Sequence, residues 1–427
     1  MTATAFLDEL AWRGLLFQHT DGAAAAFARG TVTGYIGFDP TASSLHAGNL
    51  VQIMALVHLQ RAGHRPMALV GGGTGMIGDP SGKASERQLL TTELVDENIA
   101  GISEQLSRVL DFTGSNGALM RNNADWLRQL DLIGFLRDVG KHFTVNYMLQ
   151  KDSVDSRIGS ESGISYTEFS YMLLQAYDFA KLYERDGVTL QLGGSDQWGN
   201  ITAGTTLIRK MYAAEAHAVT LPLLTTPTGA KFGKSESGAV WLDANRTSPY
   251  QFYQFWIGAD DSAVGRYLRT FTLLSRDEID ALDAVTAASP EKREAQHLLA
   301  RTVTTMIHGA AAAQTAVEVS TLLFAKGDPA AMSADAFQAL AREVPRELLP
   351  PLNELAVDTL DLFVKTRLAA SKGEARRLLQ QGGLSINGKK LSADDATIAH
   401  DRFLHGRYLL LRRGARDYAL IEATRSG

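Results

Sequence analysis

Two short apolar stretches with a helix-patterned stretch between them constrain this chain more than any other feature. Residues 32–38 and 66–70 are strand-like, and each ends at or beside a glycine. Between them Leu50, Val51, Ile53, Met54, Leu56, Val57 and Leu59 recur at helical spacing, and Arg61-Ala62-Gly63 supplies a C-terminal stop. Strand, helix and strand in that order imply a parallel pair joined by a right-handed crossover. Residues 188–192 repeat the pattern, running into Gly193-Gly194 and then a helical stretch, 201–212. The reading is an α/β chain built on a parallel sheet, with its ligand-binding loops at the carboxyl ends of the strands.

The 427 residues are too many for one compact core, so several domains are expected. Residues 93–112 and 125–142 read as helices inserted into the sheet, and 164–183 as a long helix rich in aromatics. From Gln251 to about Phe324 the pattern is almost wholly helical. Lys326-Gly327-Asp328-Pro329 then opens a looser stretch, in which Val344-Pro345 and Pro350-Pro351 favour extended backbone. The expected division is an α/β domain with a helical insertion (1–245), a helical domain (246–325), a linker (326–357) and a small α+β domain (358–427). The last mixes a helix at 373–380 with strands near 384–387 and 408–412.

Composition narrows the function. Hydrophobic residues make up 45% and charged residues 21%, which excludes disorder over most of the chain. With no cysteine, disulfides, thiolate catalysis and Cys-ligated zinc are excluded. Histidines 58, 64, 142, 217, 297 and 308 show no metal-ligand spacing, so no protein-held metal is expected. No basic segment followed by a long apolar stretch opens the chain, and no run approaches the ~20 apolar residues of a membrane helix. A cytoplasmic enzyme without a membrane partner is the expectation. From Asp358 on, thirteen Lys and Arg stand against eight Asp and Glu, or +5 in a chain totalling −5, which leaves −10 on the remainder. A basic end on an acidic body is either an electrostatic footprint for nucleic acid or a solvated surface.

The chemistry-bearing motifs gather at the glycine-punctuated loops. His46-Ala47-Gly48-Asn49 sits where loop residues give way to the apolar helix. A helix N-terminus offers free N–H groups and a positive dipole end to phosphate. His46 and Asn49 can donate hydrogen bonds to it, and Gly48 permits close approach. The alternative is a helix cap with an incidental histidine. Far downstream, Gly229-Ala230-Lys231-Phe232-Gly233-Lys234-Ser235 carries two ammonium groups that could follow charge onto departing pyrophosphate, or could be an exposed basic turn. Together the two loops point to the phosphates of ATP and to carboxylate activation through an adenylate.

The run Gly71-Gly72-Gly73-Thr74-Gly75-Met76-Ile77-Gly78 fits G-x-G-x-x-G, with Asp96 at about the separation a dinucleotide site wants. Yet Asp79-Pro80-Ser81-Gly82 follows where a helix should run. Ala84 after Gly82-Lys83 also rules out a phosphate-binding P-loop. The run reads as a close-approach loop lining a pocket, with Asp79 facing in. Tyr171, Gln175 and Asp178 share one helix face by spacing, as a site or as a solvated polar stripe. Gln191, Asp196 and Gln197 flank a second Gly-Gly loop at a strand end, where ligand-binding residues gather.

Beyond these local readings, the chain resembles the bacterial tyrosyl-tRNA synthetases, a class I aminoacyl-tRNA synthetase family, nearly end to end. The resemblance rests on Tyr35-Ile36-Gly37-Phe38-Asp39-Pro40-Thr41, His46-Ala47-Gly48-Asn49-Leu50, residues 75–79 with Pro80-Ser81-Gly82-Lys83, Gly193-Gly194-Ser195-Asp196-Gln197-Trp198-Gly199-Asn200-Ile201, and residues 231–235. The tail, with Ala375-Arg376-Arg377 and Ser385-Ile386-Asn387-Gly388, resembles a small RNA-binding module shared with a ribosomal small-subunit protein. Two positions depart from the family pattern. Asn49 stands where the first signature usually has a second histidine, and Phe232-Gly233 fill the middle of a loop usually reading Lys-Met-Ser-Lys-Ser.

The resemblance implies a Rossmann-like catalytic domain, a helical tRNA anticodon-side domain and an RNA-binding tail. It implies that Tyr35 and Asp178 bind the hydroxyl of substrate tyrosine, and that Asp79, Tyr171 and Gln175 hold its ammonium. Gln197 would lie near the reacting carboxylate, with Gln191 in the pocket wall. Gly37, Asp39, Gly48, Gly193 and Asp196 would meet the ATP or adenylate. Thr41, His46 and Asn49 would stabilise the γ-phosphate end, while Lys83, Arg87, Lys231, Lys234 and Ser235 would meet pyrophosphate in the transition state. Lys372, Arg376 and Arg377 would contact RNA. L-tyrosine, ATP with its Mg²⁺ and tRNA(Tyr) are the implied ligands. A homodimer joined through residues 135–148 is implied too, although periodicity alone makes that segment an ordinary core helix. A tryptophanyl-type synthetase and a non-catalytic RNA-binding or splicing partner are the rival readings.

Overall fold

The computed structural model describes residues 5–81, 90–158, 163–235, 238–325, 327–350, 357–392 and 394–424. Lys83 and Arg87 lie outside the described residues, as does the side chain of Ser235. The chain forms two compact units, Met1–Thr247 with Phe255–Ile307, and Ser248–Gln254 with His308–Gly427.

The first unit is organised by a six-stranded sheet of β1 (Gln18–His19), β2 (Thr33–Phe38), β3 (Arg65–Val70), β4 (Leu119–Asn122), β5 (Leu190–Gly194) and β6 (His217–Leu221), in the order β1-β6-β5-β2-β3-β4. Every neighbouring pair is parallel except β1 with β6. The chain runs outward from β2 to β3 and β4, then returns to lay β5 on the other side of β2. That reversal opens a crevice at the carboxyl ends of β2 and β5, the place where open α/β sheets bind ligands. In register, Tyr35 of β2 pairs with Met67 of β3 and with Gln191 of β5.

The helix Leu50–Arg61 fills the first crossover, and Leu50, Ile53, Met54, Leu56 and Leu59 are fully buried. Each such side chain contributes about 1.5–3 kcal/mol by leaving water. The helix Tyr166–Asp186 is capped by Ser165, which accepts from the N–H of Glu168, and is ended by Gly187 at φ 65°. It packs on the helix Trp198–Tyr212 so closely that a Cβ on Gly204 would lie 2.8 Å from the ring of Phe179. Tyr35, Met67, Trp126, Met172, Phe179 and Leu207 belong to the core cluster on this side of the sheet.

Residues 125–142, read above as one helix, form two, Ala124–Leu127 and Leu132–Asp138. Asp131 causes the break, because its carboxylate accepts from the N–H of Gly134 at 2.7 Å and starts a new helix.

In the second unit the helix Lys372–Gln380 and the strands Leu384–Ile386 and Tyr408–Arg413 form close to where the pattern placed them. The stretch read as connecting chain carries a helix, Ala334–Leu340, and a strand, Arg346–Leu349. That strand pairs in parallel with Asp417–Ala423 at the edge of a five-stranded sheet. Pro345 leads into it, and its carbonyl accepts from the N–H of Leu420. The buried carboxylate of Glu422 ties the strand down through Arg346 at 2.8 Å and Arg407 on its other side.

Candidate active site

The crevice is a cavity of about 320 Å³. β2 and the loop after it supply Tyr35, Gly37, Asp39, Thr41, His46 and Asn49. β5 and its turn supply Gln191, Gly193, Asp196 and Gln197, and the helix Tyr166–Asp186 supplies Tyr171, Gln175 and Asp178. The glycine run contributes Gly71 and Thr74 to the wall, with Asp79 beyond it. Residues scattered over more than 160 positions of sequence therefore converge on one chamber.

At its buried end, both oxygens of Asp178 are engaged. Trp126 donates its indole N–H at 2.7 Å, and Asn123 donates its amide at 2.8 Å. Complete burial pushes the Asp178 carboxyl up to about 7, against the lowering effect of those two bonds. Burial, and then the Asp178 charge, hold the Tyr35 phenol well above its ordinary value, so it stays a neutral donor. Tyr35 Oη, Gln175 Oε1 and Gln191 Oε1 are buried and have no hydrogen-bond partner among the described residues. An unsatisfied buried polar atom costs ~1–3 kcal/mol. Three of them facing one chamber fit a ligand that brings its own polar groups.

Midway, Asp39 accepts from the Tyr171 hydroxyl at 3.0 Å and from Thr74 at 2.9 Å. Asp79 accepts from Gln197 at 2.6 Å and from the N–H of Ser81 at 2.9 Å. Burial first, then the neighbouring Asp79, raises the Asp196 carboxyl. This anionic middle suits an ammonium group and ribose hydroxyls.

His46 and Asn49 line the cavity too, and the lysine loop packs beside them. His46 caps the turn Ala47–Asn49, its Nδ1 accepting from the N–H of Gly48 at 3.0 Å while Asn49 Oδ1 accepts from the N–H of His46 at 3.0 Å. With Nδ1 an acceptor, the ring proton sits on Nε2. Burial, and to a lesser degree the charge of Lys234, lowers the His46 pKa, so the ring is neutral near pH 7. Asn49 uses its oxygen in this turn, and its amide group adds N–H donors that a carboxylate would lack.

The lysine loop lies directly against that turn. Gly233 is at φ 87°, and a Cβ there would stand 2.4 Å from the nitrogen of Gly48. Phe232 is buried among Phe255, Trp256, Tyr267 and Phe271, with ring centroids 5.0–5.6 Å away, which leaves Lys231 and Lys234 exposed on either side. Lys231 acts electrostatically on Asp196 and Lys234 on His46. Residues 240–242 stitch the two signatures together. The N–H of Ala47 donates to Val240, that of Leu242 to Leu45, and that of Val240 to Gly233.

A cavity at the switch point of a parallel sheet, with a His-x-Gly turn in its wall and a two-lysine loop packed against that turn, agrees with the comparison of the chain with known families. Residues 28–325 match the model of class I tRNA synthetases (W and Y). The chain belongs to that family. Residues 337–421 match a tyrosine–tRNA ligase SYY-like C-terminal domain. A tyrosine–tRNA ligase of Anaeromyxobacter dehalogenans is 53% identical over 97% of this chain and 99% of its own length. One of Bacillus caldotenax is 51% identical over 97% and 99%. A C-terminally truncated mitochondrial tyrosyl-tRNA synthetase of Aspergillus nidulans superposes with a TM-score of 0.69 at 30% identity, covering 75% of this chain and 94% of that one.

Several residues of this class I synthetase site escaped the sequence reading: Thr74, Asn123, Trp126 and residues 240–242. The cluster Asn122-Asn123-Ala124-Asp125-Trp126, directly after a short apolar stretch, was the available signal for two of them. In the second unit Arg376 and Arg377 are exposed on one helix and make no ion pair among the described residues. Lys372 is held by Asp361 at 2.8 Å and Asp358 at 3.4 Å. Among the described residues no helix is long and apolar enough to cross a membrane, and no group of three or more His, Cys, Asp and Glu could hold a metal.

Proposed function

We propose that this chain is a tyrosine–tRNA ligase. It joins L-tyrosine to ATP, giving tyrosyl-adenylate and pyrophosphate, and then passes tyrosine to the 3′-terminal adenosine of tRNA(Tyr). The observation that carries this is the meeting of the Tyr35 hydroxyl, unpartnered among the described residues, with Asp178 at the buried end of a cavity that also holds His46, against whose turn the lysine loop packs. A phenol reaching that end meets a neutral donor and a buried carboxylate, while phenylalanine meets neither satisfied.

Tyrosine lies with its hydroxyl at Tyr35 and Asp178, its ammonium among Asp79, Tyr171 and Gln175, and its carboxylate toward Gln197, with Gln191 in the wall. ATP enters with Mg²⁺, its adenosine along Gly37, Asp39, Gly48, Gly193 and Asp196. Its outer phosphates meet Thr41, His46 and Asn49, then Lys231, Lys234, Ser235, Lys83 and Arg87. The tyrosine carboxylate forms a bond to the α-phosphorus as the bond to pyrophosphate breaks. A carboxylate is already a nucleophile, so no side-chain base is needed and the rate comes from positioning and charge stabilisation. The test is ATP–pyrophosphate exchange with each amino acid in turn. Exchange driven by tyrosine is expected, whereas exchange driven by tryptophan, or none at all, overturns the reading.

Three further assignments belong to the proposal. The basic tail binds tRNA through Arg376 and Arg377, with Lys372 joining once it leaves its two carboxylates. A chain ending near residue 350 keeps every described cavity residue, so it is expected to form adenylate normally yet charge tRNA at least about tenfold more slowly, since phosphate contacts carry much of nucleic-acid affinity. Full charging by that chain would remove the tail from the mechanism. The protein is a cytoplasmic homodimer joined near residues 135–148, a segment in which Leu136 and Val145 are 44% and 61% exposed and which Leu132 and Ile133, 68% and 69% exposed, directly precede. Ile133→Asp is expected to halve the mass seen by sedimentation, and an unchanged mass would exclude this face.

A further inference from the structure

We propose that Trp241 is a positioning residue for His46, and that Arg246 holds Trp241 in place. The inference rests on the adenylate-forming reading above. His46 needs a second support. The single bond from the Gly48 N–H to Nδ1 fixes one ring nitrogen but leaves the ring free to swing about it, and the direction of the Nε2 proton with it. Trp241 supplies that support. Its backbone bridges His46 in antiparallel register, flanked by the Ala47–Val240 and Leu242–Leu45 bonds at 2.8 Å each, so the two Cα atoms cannot drift apart. The rings meet edge to face, centroids 6.2 Å apart at 62°.

Trp241 is itself only half-buried and would turn freely without cover. Arg246 provides it, with its guanidinium carbon 3.4 Å from the centre of the indole and no ion pair among the described residues competing for it. The turn between them is closed by the Trp241 N–H donating to Thr247 Oγ1 at 2.9 Å, and is tied back by the Asp243 N–H donating to Ser44 Oγ, two residues before His46. Because the Val240 N–H also donates to Gly233, Trp241 stands in a segment hydrogen-bonded to both signatures. Its own ring packs edge to face on His46, so its effect runs through His46 and not through a general loosening of the loop.

The test uses the full chain in single-turnover tyrosyl-adenylate formation, alongside equilibrium tyrosine binding. Trp241→Ala is expected to slow the chemical step about tenfold, as small misplacements of catalytic groups do, with tyrosine affinity unchanged. Trp241→Phe restores most of the rate. In a His46→Ala background Trp241→Ala adds almost nothing, whereas in a Lys234→Ala background it costs its full tenfold. Arg246→Ala, a surface change that spares folding, slows the step about threefold, and Arg246→Lys does not rescue it, because an ammonium cannot stack as a guanidinium does. An additive loss with His46→Ala, a parallel loss of tyrosine affinity, or a wild-type rate in Arg246→Ala overturns the proposal. Absence of tyrosine-dependent exchange in the wild-type chain overturns the functional reading instead.

Discussion

Asp178→Ala is expected to collapse the preference for tyrosine over phenylalanine. Rejection of phenylalanine by roughly 10⁵-fold is a general property of tyrosyl-tRNA synthetases, and its size owes nothing to the distances measured in this chain. The geometry favours Asp178 and Tyr35 as its source. Asp178 is only 2% exposed, and two N–H donors aim it into the cavity, so phenylalanine would leave it and the Tyr35 hydroxyl facing a bare ring edge. The alanine variant should lose about 10²–10³ of the ratio of kcat/KM values in pyrophosphate exchange, mainly through slower use of tyrosine. An unchanged ratio removes Asp178 from recognition.

The same carboxylate sets a pH signature. Unfolded, it loses its proton near the ordinary value of 3.8; folded, it keeps it to about 7. Between these limits the native state binds a proton that the unfolded chain does not, so its contribution to stability falls as pH rises from about 4 to 7 and is level above. Relative to Asp178→Ala, the wild-type chain is therefore more stable at pH 5 than at pH 8, by up to about 3 kcal/mol. Denaturant midpoints of both chains at the two pH values measure this, and parallel pH profiles would contradict it.

The sequence disclosed the parts of this site that local pattern determines. The crossover 33–70 was legible because a buried helix between two buried strands has one sensible topology, and Tyr171, Gln175 and Asp178 share a face by helical geometry alone. Asn123 and Trp126 were not legible, because their meaning depends on a partner more than fifty residues away that the fold supplies. Trp241 reaches His46 across nearly two hundred residues and carries no motif of its own. The strand Arg346–Leu349 was hidden for another reason. Four residues without alternation pair only on one edge, and only the strand Asp417–Ala423 gives them a ladder. Asp131, by contrast, was a readable helix start that a continuous apolar rhythm concealed.

Replacing His46 separates two jobs that one imidazole performs. Nδ1 accepts from the Gly48 N–H and so caps the turn, while the Nε2 proton is the donor proposed for the phosphates. His46→Ala removes both, and is expected to slow adenylate formation about 10²–10³-fold, the usual cost of deleting one donor to a developing oxyanion. Tyrosine affinity should hardly move, since the proposed recognition groups are Tyr35 and Asp178. His46→Asn returns an acceptor to Gly48 but has no donor at the Nε2 position. It should regain the roughly 1 kcal/mol of a lost cap and remain nearly as slow as alanine. His46→Gln places an amide N–H close to the Nε2 position without the cap, so it should be faster than alanine yet no more stable. Because burial keeps the ring neutral at pH 7, raising the pH to 9 removes no charge from His46, and the wild-type rate should not fall through its titration. Equal single-turnover rates for the alanine and glutamine chains would show that the donor at Nε2 carries no part of the barrier.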